Sequence, residues 1–379
     1  MSKEFPPATY IDTTSQLRTL MDEILASEPQ SVAIDTESNS MYAYRGQVCL
    51  IQLSTRTADY IIDPFPIENM QAFGNLLAEK RIEKIFHAAD YDLICIKRDF
   101  DFEVHNIFDT MVAARMLKED KFGLADLLAT YFDVEVDKSH QRDDWGARPL
   151  PKDSLKYAQM DTHYLHELRD LLYERLAEQG HADELQEIFD DVLRIEVKDQ
   201  SFDPHGFWKL GRPRSLTRRQ MSLLRELYIL RDDLAKEEDQ PPFKVISNRA
   251  LVNMARRQPR NFSQLYQIKG LGAKAVRYYG DDILDAIDTG KANRPPKPPP
   301  PDRPDPVLAD RYVALHAWRK QTGIERGLDS SLILSKDTLW ELAREMPITK
   351  DELAQIVGIG EWRLANYGND LLALIRTLD

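Results

Sequence analysis

The stretch Ser31-Val32-Ala33-Ile34-Asp35-Thr36-Glu37 decides how the first half of this chain is read. A short run of this kind, Ser31 to Ile34, predicts a buried strand. Residues two apart on a strand point to one face, so Asp35 and Glu37 project together. Carboxylates held side by side repel each other unless a cation lies between them. Hard oxygen donors of this type suit Mg²⁺ or Mn²⁺. Taken alone, the pair reads equally as two solvated acids at a strand end.

Working outward, residues 15–29 show helical spacing through Leu17, Leu20, Met21 and Ile24. Val48–Ser54 and Asp59–Asp63 predict two further strands across a polar turn, and so an antiparallel start to a sheet. Ser38–Gln47 is a polar loop placed to overhang the two acids. Lys84–His87 predicts a fourth strand, followed by a helix through Phe100. Asp92 lies near that helix's start, where the dipole favours a carboxylate. Asp90 competes with it, because a helix turns by about 200° over two residues and only one of the two can face the pair. Asp109 is placed as the N-cap of the next helix. The stretch 134–150 carries Lys138, Arg142, Trp145 and Arg148, and reads either as a nucleic-acid contact or as a packed loop. Residues 152–176 predict one long amphipathic helix with Tyr157 and Asp161 four apart on one face.

Asp35, Glu37, Asp92 and Asp161 thus rise in order along an α/β domain. If they converge, they can hold two cations that clamp the attacking and leaving oxygens of a phosphoryl displacement. Tyr157, with an ordinary pKa near 10, would orient the attacking water and not remove its proton.

Composition bounds the rest. The 379 residues, 42% of them hydrophobic, allow two or three domains. No apolar run approaches the roughly 20 residues of a membrane span, and the start of the chain lacks the apolar core of a signal peptide. Cys49 and Cys95 read as core residues of a reducing compartment. A soluble, cytoplasmic, monomeric protein without membrane contact is expected. The net charge of −13 is unevenly spread: residues 1–200 carry 21 Lys and Arg against 39 Asp and Glu, while residues 201–290 carry 16 against 11. An acidic front followed by a basic segment fits metal binding first and phosphate contact second.

The second half is an internal repeat at a constant offset of 88 residues. Leu227 matches Leu315, Arg231 matches Arg319, and Ser247 matches Ser335. Leu265–Gly272 matches Leu353–Gly360, and Tyr279-Gly280-Asp281-Asp282 matches Tyr367-Gly368-Asn369-Asp370. Between the copies, Pro295–Pro306 holds eight prolines in twelve residues, an extended spacer. In each copy a Gly-x-Gly joins two helices, either to offer backbone amides to a phosphate or merely to permit a tight turn. Copy one adds Lys274 and the arginines Arg212, Arg214, Arg218, Arg219, Arg256, Arg257 and Arg260, whereas copy two puts Glu361 at the helix start. Copy one is therefore expected to touch nucleic-acid phosphate more than copy two. No Gly-x-x-x-x-Gly-Lys-Ser/Thr loop for ATP is present, which argues against a helicase.

Asp35-Thr36-Glu37, His87-Ala88-Ala89-Asp90-Tyr91-Asp92-Leu93 and Tyr157-Ala158-Gln159-Met160-Asp161 resemble the three motifs of the DEDD exonucleases, in the branch with Tyr in the third motif. The second motif and the segment Lys138–Leu150 resemble the ribonuclease D family and its eukaryotic exosome relatives. The repeats resemble HRDC domains, modules shared by ribonuclease D and RecQ-type helicases. The resemblance selects Asp92 over Asp90. It implies an α/β RNase H-like exonuclease domain, a mixed sheet flanked by helices, followed by two small all-α HRDC domains. The divisions are 1–200, 208–290, a linker at 291–306, and 307–379. Implied too are Asp35, Glu37, Asp92 and Asp161 as ligands of two divalent cations, with Tyr157 completing the catalytic set. The expected activity is 3′→5′ removal of nucleoside 5′-monophosphates from structured RNA with a free 3′ end, tRNA precursors among them. Arg142, Trp145, Arg148, Lys274, Arg256 and Arg257 are the candidate RNA contacts. A DNA exonuclease of the same fold and a non-catalytic RNA-binding scaffold are the alternatives.

Overall fold

The computed structural model describes residues 6–197, 199, 201–210, 216–298 and 305–378. Arg212, Arg214 and residues 299–304 of the proline-rich spacer lie outside them. The described residues fall into two compact units. One is built from 1–37, 48–197 and 303–379, the other from 38–47 and 198–302.

The first unit is organised by a six-stranded sheet in the order β1-β4-β3-β2-β5-β6. Its strands are β1 (Thr9–Ile11), β2 (Ser31–Ser38), β3 (Val48–Ser54), β4 (Asp59–Ile62), β5 (Glu83–Phe86) and β6 (Ile107–Asp109). β3 and β4 are antiparallel across a turn closed by the Thr55 N–H donating to Ala58 O at 2.9 Å. β1 runs parallel to β4, and β2, β5 and β6 run parallel to one another. The short edge strands β1 and β6 carry no sequence signal as strands. Three residues are too few for a period of two to show.

Helices cover the sheet: α1 (Thr14–Ala26), α2 (Gln71–Ala78), α3 (Asp90–Phe100), α4 (Thr110–Met116), α5 (Leu124–Phe132), α6 (Lys152–His163), α7 (Leu165–Glu178) and α8 (Ala182–Leu193). Val32, Ala33 and Ile34 are fully buried between these layers. The long helix expected over 152–176 is two helices broken at Tyr164, whose φ of −99° and ψ of 1° leave the helical range. The break lets one run serve two surfaces: α6 packs on β3 and β4, whereas α7 packs on α4 and β5. Tyr164 stacks on Phe132 at 5.8 Å, and His163 Nδ1 is bonded to Asp59 Oδ2 at 2.7 Å. Periodicity runs through the break because Leu165, Leu168 and Leu172 keep the apolar stripe going.

Copy one of the repeat is the helical core of the second unit, from α9 (Arg218–Glu237), α10 (Pro242–Val245), α11 (Asn248–Arg257), α12 (Phe262–Leu265) and α13 (Ala273–Ala292). Copy two repeats the series as α14 (Pro306–Arg326), α15 (Ser330–Ile333), α16 (Lys336–Glu345), α17 (Lys350–Leu353) and α18 (Glu361–Ile375). The matched arginines do one job. Arg231 Nη1 donates to Ile246 O at 3.3 Å, and Arg319 Nη1 donates to Leu334 O at 3.0 Å, one repeat later. The copies differ in what they pack against. Copy one has an apolar core of its own, while the core of copy two is continuous with that of the six-stranded sheet. The loop Ser38–Gln47 belongs with copy one: the Tyr44 hydroxyl donates to Asp232 at 2.8 Å, and Lys244 Nζ lies 3.9 Å from the Tyr42 ring.

Candidate active site

Asp35 and Glu37 sit at the end of β2 with Thr36 turned away between them, as a strand's alternation requires. Asp161 comes from α6, one turn beyond Tyr157. Asp35, Glu37 and Asp161 each bring a carboxylate oxygen to within 4.8 Å of the others. Burial is the first cause that raises Asp35 well above the usual carboxylate range, followed by the charges of Asp92, Asp161 and Glu37. Burial and the neighbouring acids push Glu37 up to about 9 and Asp161 to about 7. Burial and repulsion act in the same direction on all three. An ensemble of this kind is relieved by a cation, and its all-oxygen donor set fits a hard divalent ion.

Asp92 stands slightly apart from that trio. β5 pairs with β2 over Ser31–Ala33. Further along β2, the Thr36 N–H donates to Asp92 Oδ1 at 2.9 Å and the Thr36 hydroxyl donates to the same oxygen. One carboxylate oxygen is therefore spent on the strand. Burial lifts Asp92 to about 7 against the pull of the Thr36 bonds. Asp92 is 5% exposed, while Asp90 lies on the exposed side of the same helix.

Asp109, read from sequence only as a helix N-cap, and its neighbour Thr110 hold this arrangement. Asp109 caps α4 by accepting from the Met111 and Val112 N–H groups, and its carboxylate also accepts from Ala88 and Ala89 at 3.1 and 2.8 Å. Ala88 has a φ of +64°, so these bonds help hold a left-handed turn just before α3. Thr110 Oγ1 donates to Phe86 O at 3.0 Å and lies 2.9 Å from His87 Nδ1. The hydroxyl proton is committed to Phe86, so His87 Nδ1 must be the donor. His87 is then a neutral core histidine, its pKa lowered to about 4 by burial. The N-cap role of Asp109 was readable. Its reach to the preceding loop was not, because nothing local brings β6 beside β5.

Tyr157 has its pKa raised by burial and then by Asp161, Glu37 and Asp35. It keeps its proton through the neutral range and can orient a neighbouring group without acting as a base. Trp145 packs beside it, the ring centroids 6.3 Å apart. This corrects the expectation for Trp145. It is 1% exposed, a core side chain that steadies Tyr157, and cannot stack on a nucleotide. Arg148 is likewise corrected. Its guanidinium is bidentate to Asp63, at 2.6 and 2.9 Å, and donates to the carbonyls of Cys49 and Trp145. These bonds commit it to holding the loop. The packed-loop reading holds for Trp145, while Arg148, held by Asp63, and Arg142 are both exposed.

In copy one, Lys274, Arg256 and Arg257 are exposed. Lys274 Nζ lies 5.8 Å from the exposed Tyr278 ring, and Arg257 Nη1 donates to Gln267 O at 3.2 Å.

Residues 8–177 match the family model described as a 3′-5′ exonuclease, and residues 220–287 and 309–375 each match the HRDC domain. Ribonuclease D from Gluconacetobacter diazotrophicus is 29% identical over 381 residues, 98% of this chain and 93% of that protein. The chain carries a 3′-5′ exonuclease domain followed by two HRDC domains. Other proteins are also similar. The exosome complex component 10 homolog of Caenorhabditis elegans is 38% identical over 286 residues, 74% of this chain. The chain spans only about a third of that relative, 32% of its length. The catalytic core of RRP6 from Trypanosoma brucei, a crystal structure, superposes with a TM-score of 0.68 at 28% identity, covering 77% of this chain and 82% of that one. Among the described residues, no helix is long and apolar enough to cross a membrane.

Proposed function

We propose that the chain is a metal-dependent 3′→5′ exoribonuclease that releases nucleoside 5′-monophosphates from structured RNA, tRNA precursors included. The observation that carries this reading is the trio of carboxylates within 4.8 Å, all driven toward protonation by burial and by neighbouring acids. Asp35, Glu37, Asp161 and Asp92 would hold two divalent cations, Mg²⁺ or Mn²⁺. Bound there, such ions supply an acidified water and charge stabilisation at the departing 3′ oxygen. The protein's own part is positional. Thr36 holds Asp92, Trp145 holds Tyr157, and the Tyr157 hydroxyl aims the attacking water while retaining its proton.

The choice of RNA is supported by the names of the relatives, ribonuclease D and the exosome component. Lys274, Arg256, Arg257 and Arg142 would contact the RNA backbone. Our reading has three domains, at 1–200, 208–290 and 307–379 with a linker at 291–306, in a cytoplasmic monomer.

The test is hydrolysis of matched RNA and DNA oligonucleotides by the full chain and by Asp35→Asn. Loss of at least ~10³-fold in rate with RNA binding retained is the expected result, since the ligands act as a unit. Cleavage that persists in Asp35→Asn, or in excess chelator, would defeat the metal-dependent reading. Equal rates on DNA would defeat the choice of RNA.

A further inference from the structure

The two Gly-x-Gly helix starts are the same device in two different states. In copy two, the first amides of α18 are occupied. Gly360 N and Arg363 N donate to Glu187 Oε2 at 3.2 and 3.3 Å, and Trp362 N donates to Glu187 Oε1 at 2.7 Å. Glu187 belongs to α8, in the exonuclease domain. A carboxylate across three helix-terminal amides is the arrangement by which a helix start binds an anion.

The neighbouring groups are built around that carboxylate. A Cβ at Gly360 would fall within 3.0 Å of the Glu187 carboxylate, closer than side chains tolerate. Gly358, at a φ of +91°, brings its chain close to Asp191. Arg363 is 1% exposed, and its Nη1 donates to Asp191 Oδ2 at 2.7 Å and to Gly358 O at 2.8 Å. Glu184, Glu187 and Asp191 share one face of α8 at helical spacing. The third of them, Glu184, takes Arg326 Nη2 at 2.7 Å. Copy one shows the contrast. Gly272 caps α13 without a side chain of its own, no side chain among the described residues accepts from the first amides of α13, and a Cβ at Gly272 would meet nothing within 4 Å.

We propose that the Gly-x-Gly helix start of copy two is a docking socket whose ligand is the Glu187 carboxylate, which makes this copy a fixed partner of the exonuclease domain. Duplication supplied two anion sockets, and copy two's has been turned inward. Its phosphate-type amides are used up within the chain, so this copy is not a nucleic-acid-binding module. The shared apolar core of copy two and the exonuclease sheet is the counterpart expected of a permanent interface. The inference does not depend on RNA being the substrate.

The test compares Gly360→Ala with Gly272→Ala in the full chain. Both glycines are N-caps with ordinary φ, −88° and −74°, so the intrinsic cost of alanine is common to the two. Gly360→Ala is expected to lower the melting temperature by about 4 °C more than Gly272→Ala, and to speed hydrogen exchange at the Trp362 and Arg363 amides. In a Glu187→Ala background, Gly360→Ala should cost no more than Gly272→Ala does. Equal shifts from the two glycine variants would overturn the proposal, as would a Gly360→Ala shift undiminished without Glu187. Wild-type exchange decides the matter even if a variant fails to fold: slow first-turn amides in α18 and fast ones in α13 are expected, and equal rates would overturn it.

Discussion

At the scale of single residues, the site is a set of acids held in conflict. Glu37 at about 9, and Asp92 and Asp161 at about 7, stand above their ordinary 4.5 and 3.8. An acid whose folded pKa is raised contributes stability below its unfolded pKa and loses it as pH climbs through the folded value. Without divalent ions the protein should therefore lose thermal stability between about pH 5 and 9. Saturating Mg²⁺ or Mn²⁺ should flatten that fall, because a bound cation favours the ionised carboxylates. Melting temperatures across this range, in chelator and in each ion, check the prediction. A flat profile in chelator would mean that these acids are not in conflict.

At the scale of elements, the second motif depends on a strap from elsewhere. α3 starts after a left-handed turn at Ala88, and Asp109 at the end of β6 accepts from four backbone amides on both sides of it. Asp109→Ala strips the partners from these amides and is expected to cost about 3 kcal/mol, measured by urea unfolding. Asp92 rides on the same turn, so the catalytic rate should fall while KM for RNA holds. A KM increase with an unchanged rate would place Asp109 at the substrate. The break at Tyr164 belongs to this scale too, since it alone lets α6 present Tyr157 and Asp161 while α7 packs elsewhere.

At the scale of the whole molecule, charge and repeats divide the work. The front 200 residues are strongly acidic and the copy-one segment is basic, and our proposal therefore gives backbone contact with RNA to copy one. Replacing Lys274, Arg256 and Arg257 together by Ala should weaken RNA binding alike for all sequences. The slope of log affinity against log salt should shrink by about 2, since each phosphate no longer neutralised on a single strand removes roughly 0.7. Binding titrations at several salt concentrations measure it, and an unchanged slope would remove copy one from the RNA path.

Local pattern alone was enough to place Asp35 and Glu37 on one strand face, Tyr157 and Asp161 on one helix face, and the two repeats in register. Each of these depends on neighbours in sequence and on fixed periods of two or 3.6 residues. Contacts between distant segments escaped it. Trp145 and Arg148 carry the composition of a nucleic-acid contact, but the partners that bury the first and bind the second, Tyr157 and Asp63, lie far along the chain. Thr36 and Asp109 became visible as supports only once β2, β5 and β6 lay side by side. The same holds for the repeats: identical Gly-x-Gly starts acquired different fates because folding brought Glu187 to one of them and left the other's amides without a side-chain cap.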